Sequence, residues 1–477
     1  MAQQPPAVHH AGFHGRIGVA RREITPPVGI YARCWAAARH DVAEGIHRPL
    51  TLTALALATA EDPTPHVLIT LDACSWGAPE AEWGVRGEVI RRLGVDPARV
   101  IVALAHTHSG GPAFLSPSMD GFPGGEHAET FYHGIVQAAG EAAVAARDAS
   151  IPATLEWEYG RCALAANRDL PLPAGYVCGY NPGIAADDTL LVGRVTDAEG
   201  RILATLVNYA CHPTTLAWDN RLISPDFPGA LRETVEGATA GVPCLYLQGN
   251  MGDLAPREQY QGDPALADRH GRRLGYAVLS VLEGMLPAAS RLEYQGAQRS
   301  GTALGVWAAA PHVHPGELAS LTFDLDLPLK DDFPRDEELE RLQATTDDRV
   351  EAEKLRRKRT VRRWIGNGVS ARLSGWVWRL GDALLVGLPT EPYSQLQVEL
   401  RRRFPCHPVC ALSLANGSIG YQPTAAMYGT DVYQVWQTPL ARGNLELTLE
   451  ECSRRFQELL EGEPARAETA RGGSAGF

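Results

Sequence analysis

The sequence predicts a mixed α/β fold, and three observations carry that reading. Two continuous apolar runs, His66 to Asp72 (HVLITLD) and Val100 to Ala105 (VIVALA), have the length and pattern of buried strands. Helical patterns over residues 79–94 and 126–147 follow them, and this β-α-β-α order implies a parallel sheet with covered faces. Residues 190–211 then read as two strands around Asp197-Ala-Glu-Gly200, a hairpin turn signal, so the expected sheet core is mixed, with covering helices.

The remaining elements follow in chain order. Residues 153–165 read as extended, Pro228 to Glu236 as helix, Cys244 to Gln248 (CLYLQ) as a short buried strand and 264–285 as helix. Residues 331–363 are dense in charge and read as a solvated helical excursion. A strand pair is expected over 376–388 around Gly381-Asp382, then an amphipathic helix over 392–404. Thr448-Leu-Glu-Glu451 has the form of a capping box opening the last helix, which runs to about residue 462. No linker cleanly divides the chain and no internal repeat is visible. Residues 1–465 are therefore read as a single domain, with a polar, Gly-rich tail over 466–477 expected to be disordered.

Composition narrows the function. The chain has 477 residues, 45% hydrophobic and 21% charged, an ordinary globular balance that excludes a mainly disordered, collagen-like or coiled-coil protein. Its formal charge of −12 argues against nucleic acid as the main partner, because phosphate binding wants a basic face. No apolar run of membrane-spanning length occurs, so no transmembrane segment is expected. The N-terminal segment lacks an apolar signal core, and nine scattered Cys suit a reducing compartment; the expectation is a cytoplasmic protein. Oligomeric state is not readable. Cys406-His407-Pro-Val-Cys410 lacks a second ligand pair, so ordinary thiols are the better reading there than a structural zinc.

Several predicted strands end in residues that carry chemistry. Ala105-His106-Thr107-His108-Ser109-Gly110-Gly111 follows a buried strand directly. In extended chain, positions i and i+2 share a face, so His106 and His108 can both face a pocket at the strand's C-terminal end. Imidazole is the commonest zinc donor, but His-x-His alone fits loop histidines as well as metal ligands. His212-Pro213 ends the hairpin, an edge where a His is more often a satisfied structural residue than a ligand. Glu391 follows the strand-like Leu384-Leu-Val-Gly387, as a metal ligand or an acid near a helix start. Gly249-Asn250-Met251-Gly252-Asp253 follows CLYLQ, and Asp72 follows the first strand. Asn416-Gly-Ser-Ile-Gly420-Tyr421, with Tyr428 and Tyr433 beyond, is a Gly-bearing loop that either packs a lid or serves a site. No phosphate-binding Walker loop, GxSxG elbow or HExxH helix is present. A metal hydrolase built from loops is the class these residues favour.

Taken in order, these motifs resemble the neutral (non-lysosomal) ceramidase family along most of the chain. The carriers are Gly18-Val-Ala-Arg-Arg-Glu-Ile-Thr-Pro-Pro27, His106-Thr-His108-Ser-Gly110, Asn167-Arg168, the stretch from Asp197 through His212-Pro213 to Asp226, and Gly249-Asn-Met-Gly-Asp253-Leu-Ala255-Pro256. Glu391 and Tyr421 fall in segments like the family's late ligand motifs. The resemblance implies one catalytic zinc held by His106, His212, Glu391 and Tyr421. It also implies oxyanion stabilisation by Arg168 and Tyr433, and supports His108 in the pocket as base, proton shuttle or orienting group. Family members cleave the amide of N-acylsphingosine, so a lipid or small-molecule amide is the expected substrate.

Two departures qualify the resemblance. Ala255 stands where the family has its catalytic Ser, which excludes a seryl acyl-enzyme there and leaves a zinc-activated water as the nucleophile. The family's C-terminal β-sandwich and secretion signal are also expected to be missing, so this is read as the catalytic domain alone. A metal-dependent esterase or phosphoesterase, and a non-catalytic ligand-binding member of the family, remain the alternatives.

Overall fold

The computed structural model describes residues 5–462; the tail expected over 466–477 lies outside them. One sheet has eight strands, in the order Cys244–Gln248, Ile202–Tyr209, Thr189–Thr196, Ile151–Arg161, Ala11–Glu23, Thr51–Ala58, His66–Leu71, Val100–Leu104. Only the outermost pair at each edge is parallel. The inner pairings are antiparallel. The parallel sheet inferred from the first βαβ unit is thus a local feature. Two strands outside that inference, Ala11–Glu23 and Thr51–Ala58, insert antiparallel and make the sheet mixed.

A second sheet has the order Leu318–Pro328, Ser370–Leu380, Ala383–Gly387, Val409–Leu412. It packs on one face of the first: Phe13, Leu55, Leu68, Trp157 and Leu206 meet Trp376, Trp378, Leu385 and Leu412 in one apolar cluster. The other face of the large sheet lies under α1 (Pro79–Leu93), α2 (Ala128–Asp148), α3 (Phe227–Ala238) and α4 (Pro264–Gly284). The result is four layers, helix–sheet–sheet–helix, because each sheet has two apolar faces to cover. The outer face of the small sheet is covered by helices named below.

Two sequence expectations change. The charge-dense segment forms α5 (Asp336–Thr345) and α6 (Arg349–Ile365), and α6 is not a solvated excursion. Glu353 on α6 is 2% exposed and is met by Arg33, Arg356 and Arg357. Its carboxylate turns inward because three guanidinium groups converge there to offset the desolvation. Beyond it lie α7 (Gln395–Arg403), the short α8 (Tyr433–Gln437) and α9 (Asn444–Glu461), of which α7 and α9 cover the small sheet. Helix α9 begins a full turn before the expected capping box. Gly443, at φ 92°, already turns the chain into the helix, and Thr448 spends its hydroxyl on the Asn444 carbonyl (2.9 Å). Among the described residues, no helix is long and apolar enough to cross a membrane.

Candidate active site

The candidate residues arise at strand C-termini of both sheets. His106 follows strand Val100–Leu104 and His212 follows Ile202–Tyr209, near opposite edges of the large sheet. The sheet curls, so these edges approach each other: the Thr70 hydroxyl donates to the Tyr246 carbonyl at 2.7 Å. Glu391 arrives from the small sheet, just after Ala383–Gly387, and pairs with Tyr421 in a short parallel ladder.

His106 and His108 do converge, with their Nε2 atoms 3.2 Å apart, but not by the alternation of an extended strand. His106 sits in the left-handed region (φ 66°), held by its N–H on the Ala73 carbonyl (3.0 Å). A residue with a Cβ is strained there, and the turn is what aims the ring at the centre.

The centre is closely spaced. Glu391 Oε2 lies 3.1 Å from His212 Nε2 and 3.4 Å from His106 Nε2. His106 Nδ1 donates to the Cys74 carbonyl (2.6 Å), and His212 Nδ1 to the Met251 carbonyl (2.8 Å). Those backbone acceptors assign the tautomers, leaving Nε2 of each neutral ring as a lone pair. Two lone pairs and a carboxylate oxygen therefore face one another, an arrangement of acceptors that a cation reconciles. Burial favours the neutral ring of His212 and the nearby Arg168 charge reinforces it, so its pKa lies well below the ordinary range. The donor set suits zinc.

Around the centre, Tyr421 stacks on His212 (6.3 Å between ring centroids). Arg168 donates twice to the Gly252 carbonyl (3.1 and 2.8 Å) and once to the Tyr421 hydroxyl (3.3 Å). Tyr433 accepts from Arg357 of α6 (3.3 Å), which leaves its own hydroxyl proton free to donate elsewhere. His108 is pushed down by burial, and its Nδ1 faces Cys34 Sγ at 3.4 Å.

A cavity of about 440 Å³ opens beside the cluster, lined by His108, Arg168, Tyr421 and Tyr433. Trp35, Trp218 and Tyr260 form an aromatic wall, with Trp218 stacked on Tyr260 at 5.9 Å and Trp35 edge-on to both. Helix α6 closes another side with Val350, Lys354 and Arg357.

Other candidates lie apart. Asp72 forms a two-point ion pair with Arg232 (2.9 and 2.6 Å), and Tyr428 donates to the Leu440 carbonyl. Asp253 accepts from the Ser394 N–H (2.7 Å) and hydroxyl (3.0 Å), positioning the chain beyond Glu391; burial pushes its carboxyl up to about 6. Ala255 is buried in a two-stranded ladder opposite Ala166. Cys410 packs in the core between the sheets while Cys406 is exposed, and His407 donates to the Asp382 carbonyl. The aromatic wall, Cys34, Cys74 and Arg357 were not singled out from sequence. Only the charge density around Arg357 signalled anything, and it reads equally as a solvated face.

Fold and cluster together define a four-layer α/β protein with an enclosed imidazole–carboxylate centre. The fold is that of the neutral ceramidases. A solved ceramidase complexed with C2 superposes with a TM-score of 0.68 at 17% identity, over 96% of this chain and 76% of that one. Neutral ceramidase from Pseudomonas aeruginosa superposes with a TM-score of 0.66 at 18% identity, over 94% of this chain and 75% of that one. No family model and no curated protein sequence matches the chain.

Proposed function

We propose that this protein is a zinc-dependent amidohydrolase that cleaves a carboxamide at the centre formed by His106, His212, Glu391 and Tyr421. The observation that carries the reading is the pair of Nε2 lone pairs turned onto one Glu391 oxygen, with both Nδ1 atoms tied to backbone carbonyls. The likeness to two structures named as ceramidases supports an amide as the bond cleaved.

Zinc, when bound, supplies Lewis acidity and lowers the pKa of water towards about 7, which removes the need for a nucleophilic hydroxyl at Ala255. The chain's own residues do the rest. The 440 Å³ cavity seats the substrate against the aromatic wall. Arg168 and the free hydroxyl proton of Tyr433, which line the cavity, would stabilise the carbonyl oxygen as it gains charge, each such donor being worth about 10²–10³ in rate. His108, at the junction of cluster and cavity, moves the proton or orients its neighbours.

The test is metal content and turnover of the wild type beside His106→Ala and His212→Ala, on a panel of amides, esters and phosphoesters. Both variants are expected to lose zinc from this centre and all amide turnover. Full metal and full turnover in either variant would sink the ligand assignment. Preference for an ester or phosphoester would keep the metal site and replace the amide. Metal without turnover on any member of the panel would make the protein a ligand-binding relative of the enzymes.

A further inference from the structure

Next to the proposed catalytic centre lies a second cluster, two thiols that the mechanism above does not use, facing the His108 that it does. Cys34 and Cys74, forty residues apart in sequence, bring their sulfurs to 3.9 Å. Cys34 Sγ is 3.4 Å from His108 Nδ1, and the ligand atoms of Cys34, Cys74 and His108 all lie within 4.8 Å of one another. Both thiols are buried, at 3% and 7% exposure, yet they are not sealed in packing. They line a small cavity of about 60 Å³ together with His106, His108, Glu391 and Tyr421, so it is continuous with the first centre.

We propose that Cys34, Cys74 and His108 form a second metal site, for a soft ion such as Zn²⁺ or Cu⁺, adjoining the first centre across the His108 ring. The spacing is the main argument. Two thiolates on one tetrahedral ion, at about 2.3 Å each, sit about 3.8 Å apart; a thiolate and an imidazole nitrogen sit about 3.5 Å apart. The observed 3.9 and 3.4 Å match these two separations, and the third pair, Cys74 Sγ and His108 Nδ1, lies within 4.8 Å. A disulfide would require the sulfurs to close to about 2.05 Å.

Ring orientation supplies a second argument. His108 turns Nε2 towards His106 (3.2 Å) and Nδ1 towards the thiols (3.4 Å from Cys34 Sγ). The imidazole thus already presents the nitrogen a metal takes. Binding exchanges the two S–H protons, released to solvent, for two metal–sulfur bonds, and thiolate donors select soft ions over Mg²⁺ or Ca²⁺. An ion there would lock the His108 ring between both centres and tie the Cys34–Trp35 wall of the substrate cavity to the chain after strand His66–Leu71.

The probe is Co²⁺ added to metal-free full-length protein under a phosphine reductant. Two ions per chain are expected, with the near-ultraviolet thiolate-to-cobalt charge-transfer absorption. Cys34→Ser and Cys74→Ser should each lose that absorption and one ion. His212→Ala should lose the other ion and keep the absorption, which separates this site from the catalytic reading. Wild-type protein that binds cobalt without the thiolate absorption would overturn the proposal, and that measurement depends on no variant folding. Survival of the absorption in both Cys variants would overturn it equally.

Discussion

At the scale of single residues, the site depends on backbone that cannot give way. Gly252 lies against the Glu391 segment: a Cβ placed on it would meet the Glu391 carbonyl oxygen at 2.7 Å and that of Pro392 at 2.9 Å. Both contacts are backbone, so no side-chain adjustment relieves them. The Gly252 carbonyl also anchors Arg168 and Gln434. Gly252→Ala is expected to leave the protein folded and to weaken zinc binding about 10–100-fold, the usual cost of disturbing what orients a ligand. Competition with a chromophoric chelator measures it, and unchanged affinity would show that Glu391 is held from elsewhere. The left-handed His106 and the Ala at position 255 belong to the same scale. One stores strain where an imidazole is aimed at the cluster, and the other lacks the hydroxyl that a covalent route would need.

At the scale of elements, a strand and a helix make separable predictions. His66 opens strand His66–Leu71 at the interface between the sheets, edge-on to Trp378 at 5.2 Å, and neither ring nitrogen has a hydrogen-bond partner. Burial lowers its pKa to about 3. In the unfolded chain it titrates near about 6.5, so between these values the unfolded state binds more protons. Stability therefore falls as pH drops from 6.5 towards 3, by about 2 kcal/mol between pH 8 and pH 5 from this group alone. His66→Phe should flatten that slope, read from urea midpoints of both proteins at pH 8 and 5; a parallel slope would contradict it.

Helix α6 is held over the cavity by Glu353. Removing a buried carboxylate from three arginines leaves uncompensated buried charge, a loss of about 3–5 kcal/mol. Glu353→Ala should lower the thermal midpoint and raise KM, because Val350, Lys354 and Arg357 of the same helix line the cavity. Glu351→Ala, at a side chain 42% exposed, should do neither. Equal effects from the two substitutions would remove α6 from the substrate wall.

At the scale of the whole molecule, the centre joins parts that the chain order separates. His106 and His212 come from opposite sides of one curled sheet and Glu391 from the other sheet. An ion bound there exists only in the folded state, so it stabilises the fold by mass action, about 2.7 kcal/mol at a hundred times its dissociation constant. Added zinc should raise the thermal midpoint by a few degrees, a chelator should reverse this, and His212→Ala should respond least. A midpoint indifferent to zinc would argue that the cluster holds no ion.

What the sequence determined by itself is what short range and composition control. The strands at His66–Leu71, Val100–Leu104 and Cys244–Gln248 are legible because fully buried strands are continuous apolar runs. The chemistry-bearing residues His106, His212 and Glu391 are legible because each follows such a run, and their grouping with Tyr421, Arg168 and Tyr433 came from motif order. Three things were settled only by tertiary structure. The antiparallel insertion of Ala11–Glu23 depends on pairing with Ile151–Arg161, more than a hundred residues away. The inward turn of α6 depends on Arg33, which no local pattern connects to Glu353. The Cys34–Cys74–His108 cluster and the aromatic wall depend on loops that touch only after the large sheet curls. Local patterns report which face of an element is apolar. Which elements that face meets is decided by long-range packing, and the site is built from those meetings.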